Sequence, residues 1–268
     1  MKCITPLVVI NPRTNQSIPV ECGRCPECIQ KRTSQWGFRL RKEGDHSSSS
    51  YFITLTYDTN HVPISPNGYM TLKPDDVTLW LKRLRKISKQ KIKYYYVGEY
   101  GTKNWRPHYH MLIYNADMED IEKTWKEGTV HYGKVTGASI AYSLKYMIKD
   151  GRIPQHKNDD RIPEFGRMSK GLGLGYLTAD IMYWHTNKDT MLVRLCSEID
   201  GKKVPLARYY KEKIFDNYHK YLIQQYAKEL EQKNLIIREK TINLHNEVEA
   251  HKAKFNKMLQ SKYKNKQL

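Results

Sequence analysis

Apolar residues recur along the chain in two rhythms, and these divide it into short strands and helices. Tyr51–Tyr57 (YFITLTY), Lys93–Val97 (KYYYV) and His108–Tyr114 (HYHMLIY) are dense in β-branched and aromatic residues and predict strands. Between the first two, Lys73–Gln90 predicts a helix. Pro74, Asp75 and Asp76 mark its start, and Leu79, Trp80, Leu84 and Ile87 form the expected buried stripe. Lys82, Arg83, Arg85, Lys86 and Lys89 cover the rest of that helix. Another helix is expected from about Pro26 to Lys42, with Ile29, Trp36 and Leu40 as apolar positions, before the polar break Gly44–Ser50.

Further along, the pattern predicts a short helix from Asp117 to Trp125, a strand over Thr129–Val135, and a helix from Ala138 to Lys149 closed by Asp150-Gly151. Gln155–Arg167 reads as an exposed loop. Gly171, Gly173 and Gly175 read as a flexible turn before another short helix. Asp200-Gly201 is a hairpin signal between Met191–Ile199 and Lys202–Pro205. From Asp216 onward there are few breakers and a helix is expected, whereas residues 1–30 read as loop-rich. The class is α+β, with antiparallel pairing of the 93–97 and 108–114 strands through the 98–107 loop. Three segments follow: 1–45 with a Cys-rich start and a helix, a catalytic-sized domain over 46–215, and a helical extension over 216–268.

Charge adds a class of partner. The chain has 46 Lys plus Arg against 28 Asp plus Glu, a formal charge of +18. Aromatic residues make up 11%, with 20 Tyr against five Trp and five Phe. Cations pair with phosphates and rings stack on unpaired bases, so single-stranded nucleic acid is the first candidate partner, although a basic ribosomal-type protein has the same balance. The end of the chain, from Lys252 to Lys266, carries six Lys and no acid. No stretch approaches the ~20 apolar residues of a spanning helix, so no membrane partner is expected. The start lacks a basic region followed by a long apolar stretch, so no signal peptide is expected.

Cys22, Cys25 and Cys28 follow the pattern Cys-x-x-Cys-x-x-Cys, and Cys3 can supply a fourth sulfur. Four thiolates suit a closed tetrahedral site, and a structural Zn²⁺ is the expectation; an iron–sulfur cluster or free thiols are the alternatives. Cys196 has no partner in sequence and is expected to pack within a strand.

Two further clusters carry candidate chemistry. On a strand, His108 and His110 point to one face and can bind one divalent ion, although two hydrogen-bonded surface histidines fit the same spacing. Glu99, nine residues earlier and just after the preceding strand, can approach them if the strands pair. A carboxylate with two imidazoles leaves coordination positions open for a phosphate oxygen. On the helix after Gly137, Tyr142, Lys145, Tyr146 and Lys149 lie at offsets 0, 3, 4 and 7 and share one face. Ile140, Ala141, Leu144, Met147 and Ile148 take the other side. A phenol with a pKa of ~10 attacks poorly unaided, but a cation on the phosphate and a neighbouring lysine would help it. An ordinary solvated face of Tyr and Lys has the same pattern.

Together these motifs resemble the HUH endonuclease superfamily. Phe52–Tyr57 (FITLTY) is similar to its first motif, Arg106–Ile113 (RPHYHMLI) to its second and Tyr142–Lys149 (YSLKYMIK) to its third, in the two-tyrosine form. Cys22–Cys28 (CGRCPEC), GEYG at 98–101 and YSLKYMIK further resemble the replication initiators of gokushoviruses, small single-stranded DNA phages of the microvirus family. The resemblance covers most of residues 1–215 and the Lys-rich tail least.

The resemblance implies a central antiparallel sheet with flanking helices, and Mg²⁺ or Mn²⁺ held by His108 and His110 with Glu99 as the acidic ligand. It implies that Tyr142 and Tyr146 attack DNA phosphates, each with a lysine three residues on, Lys145 and Lys149. One tyrosine would nick the origin of the replicative form and keep a 5′-phosphotyrosyl bond; the other would close the released single strand after one round. With no G-x-x-x-x-G-K-[ST] loop in the chain, strand separation falls to a host helicase and synthesis to the host DNA polymerase, in the cytoplasm of the host bacterium. Two other readings use the same residues: a non-catalytic, zinc-stabilised nucleic-acid-binding protein, and a plasmid or transposon relaxase of the same chemistry.

Overall fold

The computed structural model describes residues 3–12, 14–145, 152–199 and 201–240, together with 249, 250, 253 and 256. They fall into two compact units: Gly37–Tyr176, and Met1–Trp36 with Leu177–Leu268. The second unit begins with a hairpin of β1 (Leu7–Ile10) and β2 (Ser17–Val20), where loop was expected. Helix α1 (Pro26–Asp45) follows; its residues from Gly37 belong to the central unit.

The central unit is built on one sheet. Its strands are β3 (Ser50–Thr56), β4 (Lys93–Tyr100), β5 (Pro107–Tyr114), β6 (Val130–Lys134) and β7 (Phe165–Met168), in the order β6-β3-β5-β4-β7. Every neighbouring pair is antiparallel. The sheet therefore bears out the expected α+β class with a central antiparallel sheet, and helices flank it. α2 (Pro74–Ile87) and α3 (Met118–Thr124) cover one face, where Ile53, Leu55, Tyr96, Tyr109, Met111 and Ile113 pack with Trp80 and Leu84. Trp80 is fully buried, and its indole N–H donates to Thr124 Oγ1 at 2.9 Å, which satisfies the one polar atom of a large apolar group. The other face carries the C-terminal part of α1 and α4, described over Gly137–Leu144. There Tyr114 is buried and its hydroxyl donates to the Leu40 carbonyl at 3.0 Å.

The remaining elements are α5 (Ala179–Thr186), the hairpin β8 (Cys196–Ile199) and β9 (Lys202–Pro205), α6 (Arg208–Ile214) and α7 (Asn217–Lys240). The hairpin lies where Asp200-Gly201 predicts it, although Met191–Arg194 is turn rather than strand and residue 200 lies outside the described residues. Among the described residues no helix is long and apolar enough to cross a membrane.

Some expectations are corrected. The buried stripe of α2 is Val77, Trp80, Leu81 and Leu84, at offsets 0, 3, 4 and 7; Leu79 and Ile87 are exposed. Choosing the largest apolar residues rather than the residues at helical spacing misplaces the stripe by one position. Ala141 on α4 is likewise exposed, and Ser143 takes the buried place with its hydroxyl donating to the Ser139 carbonyl. Gln155–Arg167 is not simply an exposed loop. Asp159 and Arg161 are buried as a two-bond ion pair, both at 2.8 Å, and the Arg161 guanidinium lies 4.9 Å from the Trp105 ring centre. Phe165–Arg167 enters β7. A hydropathy pattern cannot anticipate a buried ion pair, because its burial depends on partners brought from elsewhere.

Candidate active site

The site is set by the pairing of β4 with β5. Glu99 stands directly opposite His108, and Val97 opposite His110. Residues that face one another across a ladder share a sheet face, and so do residues two apart on one strand. Glu99, His108 and His110 are thereby brought together. Glu99 lies inside β4 rather than just after it, because the strand continues to Tyr100, which is buried and donates its hydroxyl to the Ile162 carbonyl at 2.7 Å.

One carboxylate oxygen is the focus. Glu99 Oε1 lies 2.9 Å from His108 Nε2, 2.7 Å from His110 Nε2 and 2.7 Å from the Tyr142 hydroxyl, which donates to it. Glu99 is 4% exposed. Burial opposes its ionisation, but hydrogen bonds from His108, His110 and Tyr142 outweigh that and hold its pKa well below the usual carboxylate range. The three ligand atoms, one from each residue, lie within 4.8 Å of one another.

The far sides of both imidazoles are also engaged. His108 Nδ1 lies 3.2 Å from the Arg106 carbonyl, and His110 Nδ1 lies 2.9 Å from Thr54 Oγ1. A carbonyl can only accept, so it holds the proton of His108 on Nδ1 and leaves Nε2 as a lone-pair donor, the arrangement of a metal-ligating histidine. Two such lone pairs beside one carboxylate call for a cation between them. The donor set therefore fits a divalent ion of the kind that accepts nitrogen and oxygen ligands.

The α4 helix brings Tyr142 over this cluster. A capping box at Thr136 and Ser139 starts the helix, and buried Ile140 and Leu144 fix its rotation. Besides its bond to Glu99, the Tyr142 hydroxyl is 3.4 Å from His110 Nε2, and the Lys145 ammonium is 3.5 Å from the Tyr142 ring centre. Burial first, and then the Glu99 carboxylate, raise the pKa of this phenol above its ordinary value. Tyr146 and Lys149 lie outside the described residues.

Two side chains at the site were not singled out by sequence. Phe52 stacks on the His110 ring at 5.5 Å, and Thr54 bonds its Nδ1. Both alternate on β3 within FITLTY, and the signal was available only through register, which sets Thr54 opposite His110.

In the other unit Cys3, Cys22, Cys25 and Cys28 also converge, with sulfurs within 4.8 Å of one another. Cys25 and Cys28 are buried. The backbone N–H groups of Arg24 and Cys25 point at Cys22 Sγ, at 3.4 and 3.3 Å, and Cys22 N–H points at Cys3 Sγ at 3.3 Å. Gly23 sits between them at φ +73, a conformation that favours glycine. The Thr5 hydroxyl, with those N–H groups, lowers the Cys22 pKa to about 6, whereas burial pushes Cys28 up to about 12. The cluster is compatible with a bound metal.

An antiparallel sheet with a His-Tyr-His strand at its centre and a tyrosine helix across it defines a class that sequence comparison also finds. Residues 50–151, which span this sheet from β3 through α4, match a family model described as Replication-associated protein ORF2. Over 242 residues, 82% of this chain and 74% of the relative, the sequence is 29% identical to Replication-associated protein ORF2 of Spiroplasma virus 4. It is 26% identical to Replication-associated protein ORF4 of Chlamydia phage 1 over 73% of this chain and 53% of that protein. Replication-associated protein VP4 of Bdellovibrio phage phiMH2K is also 26% identical, over 73% of this chain and 67% of that protein. The resemblance to replication-associated proteins of microviruses, expected from the motifs, is thereby shown. No solved structure matches the chain.

Proposed function

We propose that this chain initiates phage DNA replication by nicking one strand at the origin through tyrosine transesterification, and later rejoins the single-stranded product. The observation that carries the reading is the meeting of the Tyr142 hydroxyl with Glu99 and His110 at 2.7 and 3.4 Å. A nucleophile lying against a candidate metal cluster has no use in a protein that only holds DNA. The names of the similar phage proteins support a role in replication.

In this reading Glu99, His108 and His110 hold Mg²⁺ or Mn²⁺, which when bound supplies positive charge to a non-bridging phosphate oxygen. Neutralising Glu99 in this way also removes the carboxylate that holds the Tyr142 proton in place. The Tyr142 oxygen attacks phosphorus, the P–O3′ bond breaks, and its electron pair leaves on O3′, which takes up a proton to become the free 3′ hydroxyl. The 5′ phosphate stays on tyrosine. Lys145 stabilises the phenolate from the ring side. Tyr146, with Lys149, is the second nucleophile that closes the released strand. A host helicase and a host polymerase act with it in the bacterial cytoplasm. Residues 46–215 form the catalytic domain, with 1–45 the metal-stabilised start and 216–268 the basic extension.

For the cysteine cluster we propose structural Zn²⁺. Tetrahedral Zn–S bonds of ~2.3 Å set sulfurs about 3.8 Å apart, and Cys25 Sγ and Cys3 Sγ are 3.8 Å apart.

The test is incubation of the protein with single-stranded oligonucleotides tiling the phage genome and Mn²⁺, followed by peptide mapping of any covalent adduct. The expected adduct lies on Tyr142 or Tyr146 and disappears with EDTA. An adduct on neither residue, or none on any oligonucleotide, overturns the reading.

A further inference from the structure

The basic helix α2 plays no part in the nicking chemistry, and its end borders a cavity of about 500 Å³ that the site above does not use. Arg85, Lys91, Lys93, Tyr94, Ser169 and Lys170 are among the residues that line it. Tyr94 and Glu99 lie five residues apart on β4, about 17 Å at ~3.3 Å per residue, and an odd spacing puts them on opposite sheet faces. The cavity is thus separate from the Glu99 cluster.

Its cations are held in place without being neutralised. The Arg85 guanidinium lies 5.5 Å from the Tyr94 ring centre, so the ring orients a planar fork whose N–H edges remain available. Ser169 extends the β7 pairing: its backbone N–H donates to the Tyr94 carbonyl at 2.9 Å, and its Oγ accepts from the Tyr94 N–H at 3.0 Å. That places Lys170 at the rim. Lys93 is already paired with Glu43 and is not counted. Arg85, Lys91 and Lys170 are exposed, and among the described residues none has a carboxylate within ion-pair distance. Three unneutralised cations around one concave, partly aromatic cavity repel one another. Such a set is stabilised by a polyanion carrying several phosphates.

We propose that this cleft is a second nucleic-acid site, which grips the backbone phosphates of a single strand away from the phosphate to be cut. It rests on the nucleic-acid part of the function proposed above and not on its chemistry. The Arg85 fork takes one phosphate through two N–H groups, and Lys91 and Lys170 take the phosphates beside it.

The experiment measures binding of fluorescein-labelled oligo(dT) to the full chain carrying Tyr142→Phe, in EDTA and across a range of salt, so that no cleavage enters. Combining Arg85→Ala with Lys170→Ala should flatten the slope of log affinity against log salt by about 1.4, two phosphate contacts at about 0.7 each. A control pair on β9, Lys202→Ala with Lys203→Ala, should change it by much less. Equal flattening by both pairs means diffuse attraction only and overturns the cleft. Displacement of oligo(dT) by an equal concentration of the mononucleotide dTMP means a free-nucleotide site and overturns the polynucleotide assignment. Failure of the nicking reading shows instead as an absent adduct in the wild-type chain, a separate measurement.

Discussion

The chain gathers two groups of metal-type ligands, and they are built in opposite ways. Cys22, Cys25 and Cys28 are neighbours in sequence, and a short turn with its own N–H groups folds their sulfurs together. Glu99, His108 and His110 come from two strands, and only the β4–β5 register makes them neighbours. The first set has four soft ligands, which complete a tetrahedron and leave nothing for substrate. The second has three harder ligands, with a tyrosine hydroxyl at its edge. Four ligands suit a structural site and three suit an open one, so ligand count and softness separate a fastening from a reaction centre.

The largest test of that contrast removes the reaction and spares the fastening. His110→Ala, or Tyr142→Phe with Tyr146→Phe, should lower nicking by roughly 10³-fold or more while zinc content stays as in the wild type. Nicking assays beside metal analysis check this, and a surviving adduct in the double tyrosine variant refutes the assigned nucleophiles. The converse change, Cys25→Ser, should bring zinc to background and lower the melting temperature by roughly 5–10 °C. Unchanged zinc content would remove the cysteine site from the comparison.

A finer test concerns the groups behind the ligands. Thr54→Val keeps the shape of β3 but takes the hydroxyl from His110 Nδ1, and should weaken Mn²⁺ binding by about 10–100-fold in calorimetry. Unaltered affinity would show that the imidazole needs no such support. The smallest effect is a difference in thiol reactivity. With its pKa lowered to about 6, Cys22 is mostly thiolate at neutral pH, whereas Cys28, raised to about 12, is a thiol. In zinc-free protein, iodoacetamide should label Cys22 first and Cys28 last, and Cys22 should slow as pH falls below about 6 because it gains a proton there. Equal rates, read by mass spectrometry, would contradict the two environments.

Much of the fold was legible because its elements are local. YFITLTY, KYYYV and HYHMLIY each carry enough β-branched and aromatic residues to specify a strand, and Pro74 with two acids specifies the start of α2. Where expectation and structure part, the partners are distant in sequence. The stripe of α2 differs because burial depends on the sheet beneath it. Asp159 and Arg161 read as solvated because their ion pair and the Trp105 ring shelter them only in the folded chain.

The candidate site divides the same way. Sequence alone determined the chemical types: imidazoles two apart, cysteines three apart, a tyrosine and a lysine one helical turn apart, and a surplus of positive charge. Those follow from covalent spacing and the two backbone periods. Only the tertiary structure decided that Glu99 faces His108, that Thr54 and Phe52 back His110, and that Tyr142 reaches their carboxylate. Strand register and helix rotation are settled by burying apolar faces against one another, and no single segment holds that information.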